Sequence, residues 1–148
     1  MPVTAFFDIE TDRSGNKILD IGSILPNGST FHKNNVGDFA KFTEKAHFIC
    51  GHNILQHDLP CLQKYLGVAD WGFNKAIDTL LLSPLLFPKN PYHHLLKDDK
   101  LQNEELNNPV NDSLKASNLF DDEVMAFQKL DEELKEIYKF HLRNAISN

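Results

Sequence analysis

The chain has 148 residues, 41% of them apolar and 24% charged; at roughly 150 residues per domain it is one domain, able to bury about 70% of its unfolded surface without disulfide staples. Fifteen Lys plus Arg against 21 Asp plus Glu leave a net charge of -6, which excludes a general basic clamp on a nucleic-acid backbone but allows an acidic cleft that meets phosphate through divalent cations. Cys50 and Cys61 lack CxxC spacing and no apolar run reaches the roughly 18 residues of a membrane helix, so the expected setting is reducing and cytoplasmic, with no membrane partner.

Thr4 to Ile9 and Lys17 to Leu25 are β-branched and aromatic runs separated by the turn formers Asp12-Arg13-Ser14-Gly15-Asn16, which predicts a β-hairpin. Pro26-Asn27-Gly28 marks a second turn, and Ser29 to Lys33 returns as a third antiparallel strand. Phe39, Phe42 and Ala46 predict a short helix after Val36, leading into the strand Phe48-Ile49-Cys50, which Gly51 ends. Ile54, Leu55, Leu59, Leu62 and Leu66 fit a helix with one buried face that starts near Gln56, with Pro60 early in it. Ala76-Ile77 reads as a short parallel strand, and Asp78-Thr79 supplies N-cap chemistry for a helix from Leu80 to Leu86 that Pro84 is expected to bend or end. Residues 88–108 form a connection long enough to suggest a functional role. Two helices are expected after it, Pro109 to Leu119 and Asp121 to Ala145, the second with Val124, Phe127, Leu130, Leu134, Ile137 and Leu142 along one face. The fold class is α/β, a mixed sheet with antiparallel N-terminal strands, flanked by helices.

Strand side chains alternate, so in Phe6-Phe7-Asp8-Ile9-Glu10 the two acids share one face and Phe7 and Ile9 take the other. At ~7 Å and an effective dielectric of ~20 their repulsion is about 2.4 kcal/mol, which a cation between them removes. An isolated D-x-E more often ends a strand near solvent. Here it has company, because Asp58 follows a strand end and Asp112 lies near a helix start, so four acids from three segments can converge.

Asp8-Ile9-Glu10-Thr11, the segment Gly51-His52-Asn53-Ile54-Leu55-Gln56-His57-Asp58-Leu59-Pro60, Asp78-Thr79-Leu80 and Asn107-Asn108-Pro109-Val110-Asn111-Asp112 together resemble the DnaQ-like, or DEDD, superfamily of 3'-5' exonucleases over most of the chain. The resemblance implies a ribonuclease H-like fold and two-metal hydrolysis of terminal phosphodiesters of DNA. It makes Asp8, Glu10, Asp58 and Asp112 the holders of two Mg2+ or Mn2+ ions, with Asp8 bridging both and Glu10 also orienting water. Thr11 would contact the terminal nucleotide, and His52 and Asn53 would organise the turn and meet backbone or substrate.

Family members carry a His five residues, or a Tyr four residues, before the last acid, and this chain has Asn107 and Asn108 there. Neither amide takes a proton. Asn108 followed by Pro109 is also a strong helix start. The substitute proton acceptor would come from His93 or His94, whose imidazoles titrate near neutrality just upstream of Asp112. The alternative is a degenerate exonuclease fold that binds a 3' end or a partner protein without cutting. The block from Pro91 to Asp112 also resembles the exonuclease-like domain that precedes a RecQ-type helicase in some bacterial proteins. On that resemblance the 148 residues are a domain excised from a longer chain, with a helicase module and single-stranded DNA as partners.

Overall fold

The computed structural model describes residues 1–93 and 108–146, and it is α/β. Five strands, β1 (Thr4–Thr11), β2 (Ile18–Ile24), β3 (Thr30–Lys33), β4 (Phe48–Gly51) and β5 (Ala76–Asp78), form one sheet in the order β3-β2-β1-β4-β5. β1 to β3 are antiparallel neighbours, as their turn chemistry predicts, while β4 and β5 join in parallel. In the first turn Asp12 Oδ1 accepts from the N–H groups of Asn16 and Lys17 at 3.0 and 3.2 Å, which closes the hairpin.

The period of two in β1 divides the molecule. Ala5, Phe7 and Ile9 face a core with Ile21, Ile49, Phe39, Leu59 and Leu62, supplied in part by helices α1 (Val36–Phe42) and α2 (Asp58–Leu66). Phe6 points the other way and meets Phe120 of helix α4 (Pro109–Gln128), with ring centroids 5.9 Å apart. Helix α3 (Thr79–Leu86) follows β5 and packs beside α4. Asp8 and Glu10 therefore open on the α4 side of the sheet.

Helix α3 runs to Leu86, its expected end, with Pro84 inside it. One expectation about helices needs correction. The break between the last two helices lies at residues 129–131 rather than at residue 120, so α4 continues to Gln128 and α5 spans Glu132–Ile146. The cause is local: Asp131 Oδ1 accepts from the Leu134 N–H at 2.9 Å and caps α5, whereas Asp121 lies inside α4. Val124 and Phe127 consequently belong to α4, and Leu134 and Ile137 to α5. Pro60 sits third in α2, where its missing N–H leaves no helical bond unmade. No helix among the described residues is long and apolar enough to cross a membrane.

Candidate metal centre

The register of β1 on β2 sets Asp8 opposite Gly22. A side chain at position 22 would have no room, because a Cβ there would lie 2.3 Å from both the Pro109 carbonyl carbon and the Val110 nitrogen. The first turn of α4 is thus laid directly on the β2 backbone. Ser113 fastens it, its hydroxyl 3.0 Å from Gly22 O and 2.6 Å from Pro109 O. Asn108 fixes where the helix begins, accepting from the Val110 N–H at 2.9 Å with Pro109 at the first helical position. Asp112 falls in that first turn, where the helix dipole favours a carboxylate.

These constraints bring three half-buried acids together. Ligand atoms of Asp8, Glu10 and Asp112 all lie within 4.8 Å of one another. If ionised, two carboxylates at that separation repel by about 3.5 kcal/mol at an effective dielectric of ~20. Oxygens on opposite sides of one Mg2+ stand about 4.2 Å apart, given ligand distances of about 2.1 Å, so the group matches the span of a single hard cation and its donors are the oxygens such an ion prefers. Lys115 Nζ lies 3.9 Å from Asp112 Oδ1, too long for a strong ion pair.

Asp58, the fourth acid of the expectation, is not in this group. It opens α2 and is 2% exposed. Pairing of β1 with β4 runs from Thr4 to Phe6, and further along β1 the Ile9 N–H goes to Asp58 Oδ2 at 3.1 Å. Asp58 Oδ1 is 2.8 Å from His57 Nδ1. Burial pushes the Asp58 carboxyl up, with the His57 hydrogen bond opposing it, and the same hydrogen bond raises His57 above the usual imidazole range. Asp58 thus holds β1 from behind, at the residue between the two strand acids.

The remaining predicted residues divide between that neighbourhood and α3. Thr11 ends β1 just past an irregularity in its pairing with β2, and its hydroxyl is 3.5 Å from His57 Nε2. His52 Nδ1 is 2.8 Å from Thr79 Oγ1, which itself lies 3.3 Å from Gly51 O. Asn53 takes a left-handed φ of 62°, and its N–H donates to Asp78 Oδ1 at 2.9 Å. Both residues organise the turn after β4. His93 is held to α3 by Ser83 at 2.8 Å and is not in the group formed by Asp8, Glu10 and Asp112. His94 and Asn107 lie outside the described residues.

Two acids do more than the sequence pattern assigned them. Asp78 was read only as a helix cap, and it does accept from the Leu80 N–H, but it also accepts from the N–H groups of Asn53 and Leu55, tying the Gly51 to Pro60 segment to α3. Glu123, to which the sequence analysis gave no role, is 1% exposed, its carboxyl pushed up to about 8 first by burial and then by Asp78 and Asp122. Its position among Phe120, Val124 and Phe127, at helical spacing, is the signal that marks it as inward-facing. In comparisons with family models, curated proteins and solved structures, the chain matches none.

Proposed function

We propose that this chain is a metal-dependent 3'-5' exonuclease of the DEDD type, with a ribonuclease H-like fold, acting on the 3' end of DNA. The observation that carries the reading is the convergence of Asp8, Glu10 and Asp112, acids 2 and 102 residues apart along the chain, into one group of cation-sized span. The order of motifs that contain them supports it. Divalent Mg2+ or Mn2+ ions held there would supply an activated water and charge neutralisation at the phosphate and the departing 3'-oxygen. Asp8 and Asp112 are the holding groups from the strand and the helix, and Glu10 both holds and orients water. Asp58 and His57 keep β1 in place behind them, and Thr11, at the strand end beside His57, would meet the terminal nucleotide. Single-stranded DNA and a helicase module are the partners that accompany this reading.

A second reading, a fold that binds a 3' end without cutting it, is favoured by one observation. The side chain of Asn108, at a position where the family carries its base, is engaged in capping α4. End-labelled single-stranded DNA incubated with Mn2+, beside an Asp8→Ala control, separates the two. Progressive shortening that the control lacks supports the nuclease. Metal-dependent retention of the DNA without shortening supports the binder, and neither result would leave both readings wrong.

A further inference from the structure

Lys115 stands at the edge of the acid centre, and its geometry there differs from that of two other lysines in the chain. In α5, Lys135 and Lys139 each follow an acid by three residues, and their ammonium groups bond the exposed Glu132 and Glu136 at 3.0 Å. Lys115 follows Asp112 at the same spacing in α4, yet its Nζ stays 3.9 Å from Asp112 Oδ1, and both side chains are half-buried. Aspartate is one methylene shorter than glutamate, and the Asp112 carboxylate lies with those of Asp8 and Glu10. A charged N–H···O bond is about 2.7–2.9 Å long, so the ammonium borders the acid centre without being committed to Asp112. Charge gives that position a use. Three carboxylates and one divalent ion leave a net negative charge, which repels an arriving phosphodiester, and one positive charge beside Asp112 brings the centre to neutral.

We propose that Lys115 is a substrate-contacting residue of the acid centre, its ammonium turning from Asp112 to a non-bridging oxygen of the terminal phosphodiester. The proposal rests on the reading of that centre as a site for DNA 3' ends. A lysine suits the task because its charge is compact, its stem is flexible and its three donors rotate, so it can leave a long contact with Asp112 for a closer one with phosphate without movement of α4. A phosphate contact carries no sequence information, so Lys115 contributes affinity and no base preference.

The test is fluorescence anisotropy of a 5'-labelled single-stranded oligothymidylate with Mn2+, read at several salt concentrations before a gel shows any shortening. Lys115→Met, which removes the charge and keeps most of the stem, should bind about tenfold or more weakly, as loss of a charge-assisted hydrogen bond predicts. Its salt dependence, as the slope of log affinity on log salt, should be shallower by about 0.7, the share of one phosphate contact on a single strand. Lys115→Arg keeps the charge and should keep the slope. Mn2+ binding, followed by the paramagnetic resonance of the free ion, should be as tight or tighter in Lys115→Met, because a positive neighbour of the acids has been removed. Unchanged oligonucleotide affinity and slope in Lys115→Met, beside binding by the unaltered chain, would overturn the proposal and leave the 3'-end reading standing. Loss of Mn2+ binding together with the oligonucleotide, or an arginine variant with the slope of the methionine one, would also overturn it. No binding by the unaltered chain would remove the reading and the proposal together.

Discussion

Replacement of Gly22 by alanine tests how the acid centre is built. The added Cβ would meet the Pro109 carbonyl carbon and the Val110 nitrogen at 2.3 Å, where ordinary contact begins at 3.4 Å. Both obstacles are backbone, so the first turn of α4 must withdraw by about 1 Å or more, and Asp112 withdraws with it. Overpacking of this kind costs about 1–3 kcal/mol, which for a chain of this size lowers Tm by roughly 2–4 °C per kcal/mol. The effect on cation binding should be larger in proportion. Near-octahedral ions hold their oxygens at about 2.0–2.1 Å, and a site tolerates only about 0.5 Å of displacement before its geometry fails. Scanning calorimetry with and without Mn2+ checks this. The unaltered chain should show a metal-dependent rise in Tm, and Gly22→Ala a lower Tm with no such rise. Gly15→Ala is the control, because Gly15 has φ of 71° and open space around its Cβ position, so it strains the hairpin without touching α4. A Gly22→Ala protein that retained the full metal-dependent rise would refute the claim that close approach of α4 at this glycine places Asp112.

Two further substitutions probe the acids that the sequence pattern undervalued. Asp78→Ala leaves three backbone N–H groups without their acceptor and should cost about 3–5 kcal/mol in urea unfolding, well above the roughly 1 kcal/mol of a helix cap alone. Glu123 has a folded pKa of about 8 against an ordinary value of 4.5. Its contribution to stability is therefore fully present below the lower value and lost as pH rises through the higher one, by about 5 kcal/mol at 1.36 kcal/mol per pH unit. Glu123→Leu should flatten the fall of unfolding free energy between those pH values, and parallel profiles for the two proteins would contradict the buried neutral acid.

The elements that the sequence made legible are those whose physics is local. Alternation in Phe6 to Glu10 places Asp8 and Glu10 on one face whatever the rest of the chain does, and the turn formers after β1 make the antiparallel hairpin nearly obligatory. Asn108-Pro109 reads as a helix start for the same reason. The boundary between the last two helices was misplaced because Leu130 continues the apolar series across the gap, while the capping strength of Asp131 depends on where its side chain turns. Asp58, Asp78 and Gly22 were beyond local reasoning. Asp58 takes its N–H from a residue 49 positions away, Asp78 from residues 25 and 23 positions away, and Gly22 is required by a helix that begins 87 positions later. Such roles exist only once the sheet has brought distant backbone groups together.

That dependence bears on Asn108, which stands at a position where the resembled family carries its proton acceptor. Asp112 reaches Asp8 and Glu10 only if α4 begins at one residue and lies flat on Gly22, and the start is fixed by the Asn108 side chain on the Val110 N–H. A cap of this kind contributes about 1 kcal/mol and, more to the point, sets the phase of the helix. A tyrosine at position 108 would bring a phenol near Asp112 but could not accept the Val110 N–H in the same way, since its oxygen sits at the far end of a rigid ring. On the proposed reading, the asparagine at this residue is thus part of what positions Asp112.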